Sequence, residues 1–209
     1  MARSTSSQCR RPRIGVLALQ GDFAEHAVSL SACNVDVVQV RTSEQLQSSD
    51  ALIIPGGEST TIVRLLNAFD LVEPIRERIR EGMPTWGTCA GAILLATEVP
   101  NLDRPPLAAM DITVERNAFG RQLESFETDL EVAAFSGPPL RAIFIRAPVI
   151  TRIGRGVEVL ARLLDGRIVA ARQGVLLATA FHPELTTDHR MHALFADLAA
   201  ASITVGAET

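Results

Sequence analysis

Apolar residues in the first half of the chain gather in short segments, unbroken at 14–19 and 51–54. Residues 14–19 read Ile-Gly-Val-Leu-Ala-Leu, 35–40 read Val-Asp-Val-Val-Gln-Val, and 51–54 read Ala-Leu-Ile-Ile. Each predicts a strand, and the continuous run at 14–19 one buried on both faces, as in a parallel sheet covered by helices. Helix signals lie between them. Asp22 is placed to cap a helix running to about Cys33, and Thr42 or Ser43 to cap a short one through Ser48. Another helix is expected over about 60–69, and Pro74 stands at the start of one ending near Glu81. Residues 85–88 form a fourth strand, followed by a helix that fades near Val99-Pro100. Alternation of this kind predicts an α/β fold with a mostly parallel sheet, right-handed crossovers and helices on both faces. Sites in such sheets lie beyond the carboxyl ends of the strands. The Gln20-Gly21 turn, the 55–59 loop and the turn around residue 89 should therefore converge.

The second half changes period. Segments 111–115, 126–133, 142–145, 156–164, 167–172 and 175–181 are short and strand-like. They predict antiparallel strands added to the same sheet or packed beside it. Asp165-Gly166 reads as a two-residue hairpin turn between two of them. Helix returns at about 187–200. Without a repeat or a Pro/Gly/Ser linker, one domain is expected over 14–201. Residues 1–13, rich in Ser, Thr and Arg, and residues 202–209 read as tails.

Composition removes several classes of chemistry. All twenty basic residues are Arg, and Tyr is absent. A chain with no lysine is neither a P-loop nucleotide hydrolase nor a Schiff-base enzyme in its own right. A net charge of −4 argues against a general nucleic-acid or anionic-membrane binder, and no apolar run is long enough to span a bilayer. Cys9, Cys33 and Cys89 are too widely spaced for a zinc site or a disulfide framework. No metal or cofactor is expected, and a reducing, cytoplasmic compartment suits the thiols. His189 and His192 read as surface or helix-end residues.

What remains is nucleophile chemistry. Gly87-Thr88-Cys89-Ala90-Gly91 is the thiol counterpart of the G-x-S-x-G elbow, in which a strained strand-to-helix turn projects the nucleophile. The Ala90 amide beyond it can bind an oxyanion, and the positive end of the helix favours a thiolate. The blander reading is a buried structural cysteine. His182-Pro183-Glu184 ends the last strand, and residues i and i+2 of an extended chain point to one side. A carboxylate there would orient the imidazole and stabilise its cation. Cys89, His182 and Glu184 thus supply nucleophile, base and orienter. The Pro55-Gly56-Gly57-Glu58-Ser59 loop opens a helix, and its Gly57 amide is a candidate second oxyanion donor.

Gly-Thr-Cys-Ala-Gly with Phe-His-Pro-Glu resembles a class I (triad) glutamine amidotransferase. Residues 19–26 (LQGDFAEH), 55–61 (PGGESTT), 114–122 (VERNAFGRQ), 144–148 (FIRAP) and 182–186 (HPELT) narrow the resemblance to the glutaminase subunit of pyridoxal 5′-phosphate synthase. It runs from about Ile14 to Ala200. It implies a three-layer, flavodoxin-like amidotransferase fold with no cofactor of its own. L-Glutamine would be held by Gly57, Glu58, Ser59, Arg116, Ile145 and Arg146, hydrolysed by the triad, and its oxyanion bound by Gly57 and Ala90. Ammonia would pass to a TIM-barrel synthase subunit, a dodecameric core carrying up to twelve glutaminases. Gln20 and Gly21 would lie where that partner acts. Open alternatives are the glutaminase of another pathway, such as histidine biosynthesis, a non-catalytic relative with a reactive cysteine, and a peptidase.

Overall fold

The computed structural model describes residues 10–100, 102, 107–116, 118 and 125–206. Part of the 114–122 string, and Cys9, lie outside the described residues. The central sheet is built from β1 (Arg13–Leu17), β2 (Asp36–Val40), β3 (Ala51–Ile54), β4 (Thr85–Thr88), β5 (Ala96–Glu98), β6 (Met110–Glu115), β9 (Val149–Ile153), β10 (Glu158–Arg162), β11 (Ile168–Gln173) and β12 (Leu176–Thr179). Its order is β2-β1-β3-β4-β12-β11-β9-β6-β5, with β10 paired to β11. The pairs β1–β2, β1–β3, β3–β4 and β4–β12 are parallel. From β12 outward the β11, β9 and β6 pairings are antiparallel. The second-half strands therefore extend the sheet, as expected, while β7 (Ser125–Leu130) and β8 (Leu140–Ile145) form a separate antiparallel pair.

Strand alternation divides the core. In β3, Leu52 and Ile54 face one cluster, packed with Leu46, Ile62, Leu66 and Ile75. These come from α2 (Ser43–Gln47), α3 (Ser59–Ala68) and α4 (Val72–Arg80). Ala51 and Ile53 face the other cluster, with Leu30, Phe144, Met191 and Phe195. That side is covered by α1 (Phe23–Ser31), α6 (Arg190–Gly206) and the β7–β8 pair. Each fully buried Leu, Ile or Phe contributes about 1.5–3 kcal/mol of transfer free energy, so burial on both faces stabilises the central parallel strands β1, β3, β4 and β12.

Several elements depart from expectation, each for a physical reason. The helix after Cys89, α5 (Ala90–Leu95), stops at once, because Ala96 turns extended to pair β5 with β6. At 165–166 the turn is a three-residue loop: the Gly166 N–H donates to Leu163 O, the Leu163 N–H to Arg167 O, and Gly166 takes φ +88°. That is a type I turn closed by a left-handed glycine. Residues 10–13 are not tail. Arg13 begins β1, and the Arg10 guanidinium pairs with the Asp50 carboxylate through 2.7 and 2.6 Å contacts. At the other end α6 runs to Gly206, past the expected boundary at 201. Asp22 holds the N-cap position of α1 but makes no side-chain cap, whereas Thr42 caps α2 in a full capping box with Gln45. No helix among the described residues is long and apolar enough to cross a membrane.

Candidate active site

Four neighbouring parallel strands, β1, β3, β4 and β12, end on one edge, and their loops converge there as predicted. The elbow after β4 gives Cys89 φ +46° and ψ −101°, a strained conformation for a residue with a side chain. It is held from below by the Cys89 N–H, which donates to Thr179 O of β12 at 2.8 Å. The Sγ lies 3.9 Å from Ile145 O at the end of β8. Arg146, the next residue, is also left-handed, at φ +44°.

His182 follows β12, its N–H anchored on Ile143 O at 2.8 Å. The extended His-Pro-Glu geometry expected from sequence is not what brings the pair together. Pro183–Leu185 form a short 3-10 turn, and the chain folds back around Pro183. His182 Nδ1 lies 2.7 Å from Glu184 Oε1 and 3.3 Å from Asp22 Oδ2. With Nδ1 on the carboxylates, the other ring nitrogen is left for the Cys89 thiol, which lines the same cavity. Burial pulls the His182 pKa down, but hydrogen bonds to Asp22, Cys89 and Glu184 outweigh it and push it up to about 12. Burial also pushes Glu184 up, against the pull of its bond to His182.

The 55–59 loop is braced by the first turn. Gln20 Oε1 accepts the Glu58 N–H at 2.9 Å, and the Asp22 N–H donates to Gly56 O at 3.2 Å. Gly21 and Gly56 are obligatory: a Cβ on Gly21 would stand 1.8 Å from Gly56 O, and one on Gly56 2.5 Å from His182 Cε1. Glu58 caps α3, accepting the Thr60 and Thr61 N–H groups at 3.1 and 2.6 Å. Burial opposes its ionisation, yet these bonds and that from the Thr61 hydroxyl lower its pKa to about 2. Its carboxylate also faces Arg116 Nη2 at 3.8 Å.

A cavity of about 290 Å³ joins these groups. Gly57, Glu58, Ser59, Cys89, Ala90, Arg116, Ile145, Arg146 and His182 all line it. Gln20 stands behind the loop, and Gly21 against Gly56. Asp22 and Ile93 line it too, and sequence reasoning gave neither a role in the site. A larger groove of about 600 Å³, between Glu131, Phe135, Pro138 and Arg162, is lined by no Cys, Ser, Thr or His. The smaller cavity is the candidate site, because it brings together a thiol, an imidazole, the backbone of the 57–59 loop and two guanidinium groups.

A second group missed from sequence lies behind the triad. His192 is not a surface residue. It is fully buried against Trp86 and His26, and His26 is itself fully buried. Burial, with His189 adding to it, lowers the His192 pKa to about 3. Its folded value lies below the unfolded 6.5, so its contribution to stability is full above pH 6.5 and is lost as pH falls towards 3. His182 has the opposite sign: its raised value makes its contribution full below 6.5 and lost as pH rises towards 12. The difference between wild type and His192→Phe isolates the first effect. Between pH 7 and pH 5 the wild type should lose about 2 kcal/mol more than the variant, read from urea unfolding at both pH values.

Comparison with known proteins gives the family. Residues 16–200 match the model of the SNO glutamine amidotransferase family. The chain belongs to that family. It is 60% identical over 188 residues to a protein of Herpetosiphon aurantiacus named pyridoxal 5′-phosphate synthase subunit PdxT, covering 88% of this chain and 99% of that one. A Nocardia farcinica protein of the same name is 55% identical, covering 92% and 88%. A crystal structure titled glutamine amidotransferase superposes with a TM-score of 0.84 at 51% identity, covering 89% and 98%. The PurLQS structure from Thermotoga maritima, at 16% identity and a TM-score of 0.64, shares the fold. The chain is thus a glutamine amidotransferase with the α/β amidotransferase fold.

Proposed function

We propose that this chain is the glutaminase of a pyridoxal 5′-phosphate synthase, releasing ammonia from L-glutamine through Cys89, His182 and Glu184. The observation that carries the residue assignment is the joining of a strained Cys89 and His182 in one cavity with Arg116 and Arg146, with the buried Glu184 on His182 Nδ1 behind them. The synthase assignment rests on relatives that bear that name over nearly their whole length.

Glutamine enters with its carboxylate and amine towards the Gly57-Glu58-Ser59 loop, Arg116, Ile145 and Arg146. The planar guanidinium fork matches a carboxylate. Cys89 Sγ attacks the side-chain amide carbon, and the Gly57 and Ala90 amides stabilise the oxyanion. His182 passes its proton to the departing nitrogen, which leaves as ammonia, and a glutamyl thioester remains. Water then attacks the thioester. His182 takes its proton, glutamate departs and the thiol is restored. Throughout, Glu184 holds the imidazole and offsets its charge.

Ammonia passes to a TIM-barrel synthase subunit, in a dodecameric core, in the cytoplasm. That subunit supplies the Schiff-base lysine this chain lacks. Gln20 and Gly21, which brace the Gly56-Gly57 turn, are where the partner would act on the oxyanion loop. The test is glutamine-to-glutamate turnover with and without the synthase subunit, together with transfer of the labelled amide nitrogen into pyridoxal 5′-phosphate. Absence of both stimulation and transfer sinks the assignment. Arg146→Ala is expected to raise KM for glutamine about 10-fold with kcat within a factor of about 3, the loss of one charge-assisted contact made equally in ground and transition states.

A further inference from the structure

Glu184 has two carboxylate oxygens, and the triad uses one. Oε1 is on His182 Nδ1, whereas Oε2 is buried and has no hydrogen-bond partner among the described residues. An unsatisfied carboxylate oxygen in an apolar site is costly. His26 Nε2, on α1, stands 3.4 Å from it and 3.1 Å from Thr88 Oγ1. On the far side of the same ring, His26 Nδ1 lies 3.0 Å from His192 Nε2.

Only one arrangement of protons suits both ends. With the His26 proton on Nε2, the N–H lies between Thr88 Oγ1, at 3.1 Å, and the Glu184 carboxylate, at 3.4 Å, and the bare Nδ1 accepts from the His192 Nε2–H. His192 Nδ1, buried and unpartnered, then carries only a lone pair. In the reverse tautomer a lone pair faces the carboxylate, and the His192 proton is forced onto that same Nδ1 as a buried N–H with no acceptor. Orphaned donors are the rarer and costlier case.

We propose that His26 is a positioning residue for the triad, its Nε2–H holding Glu184 ionised and aimed at His182, with His192 fixing the His26 tautomer from behind. This rests on the triad reading above. The groups facing Glu184 are His182 on its own turn, Asp22 at the cap of α1 and His26 within it, with Thr88 and His192 of α6 as the other neighbours of His26. Burial lowers the His26 pKa well below its ordinary value, His192 and His182 adding to the effect, so the ring stays neutral and acts as a fixed dipole. Without it the Glu184 anion is less supported, and so is the imidazolium of His182. The thiolate–imidazolium pair then forms only at higher pH.

The experiment reads Cys89 alkylation against pH by mass spectrometry of the Cys89 peptide in the full chain, alongside kcat and KM for glutamine. His26→Phe and His26→Asn should move the alkylation midpoint upward and lower kcat about 10-fold, with KM within a factor of about 2. His26→Gln, whose amide N–H reaches the Nε2 position, should restore the midpoint. His192→Phe should shift it in the same direction, but less. Should the Phe variant not fold, the Asn and Gln pair carries the comparison. Equal behaviour of Asn and Gln, or a folded Phe variant that changes only the melting temperature, overturns the inference. Failure of the triad itself looks different: His182→Ala would then alkylate at Cys89 with the wild-type profile.

Discussion

Cys89→Ser is expected to reduce glutamine hydrolysis by at least about 10⁴-fold, measured as glutamate release in the presence of the synthase subunit. The substitution changes one atom and leaves the elbow intact. Its backbone is held by the 2.8 Å bond to Thr179 O and by the pairing of Thr88 with Thr179, neither of which involves the sulfur. What is lost is the nucleophile. A hydroxyl is far less ionised than a thiol beside the same imidazole, and the His182 environment is arranged to hold a proton. A strongly basic imidazole flanked by Asp22 and Glu184 stabilises an ion pair with a thiolate. A serine hydroxyl, far less acidic than a thiol, has no such ion pair to start from. The variant should still fold, and ammonia supplied in the medium should still support pyridoxal 5′-phosphate synthesis by the partner. A loss smaller than about 10-fold would remove Cys89 from the nucleophile role, since all covalent catalysis is routed through it.

The same site shows what a sequence discloses and what it withholds. Cys89 and the strand runs at 14–19 and 51–54 are legible because they are local: an elbow needs glycines at fixed offsets, and a buried parallel strand needs an apolar run. Asp22 is different. Its spacing before α1 marks it as a helix cap, yet its carboxylate is not used on the helix and lies against His182, 160 residues on. His26 and His192 are separated by 166 residues and meet only because α1 and α6 cover the same face of the sheet. A histidine on a helix carries no local mark of burial, so polarity alone places it outside. Glu58 was expected at the substrate and is found with its carboxylate on the first turn of α3, where three donors hold it. Sequence finds such a residue in the site, but only the path of the chain decides what its side chain touches.

Gly91→Ala separates these levels most sharply. Gly91 lies in the first turn of α5, where helix propensity alone favours alanine by about 1 kcal/mol. The opposite is expected: a loss of about 3 kcal/mol, and of activity with it. A Cβ at Gly91 would stand 1.9 Å from Ile54 O and 2.8 Å from its carbonyl carbon, backbone atoms of a central strand with no freedom to withdraw. Gly87 faces the same junction, where a Cβ would stand 2.3 Å from Gly91 C. The two glycines of the elbow thus let α5 descend onto β3 and β4, and that descent sets where Cys89 and the Ala90 amide sit. Moving α5 outward to admit a methyl group would carry the Cys89 thiol and the Ala90 amide away from His182. Gly82 is the control. It has φ +94°, but a Cβ there would meet nothing within 4 Å, so Gly82→Ala meets only backbone strain, about 1 kcal/mol, and should keep full activity. Thermal melts and glutaminase rates on the two variants decide the matter. An active, stabilised Gly91→Ala protein would show that the elbow does not depend on this close approach.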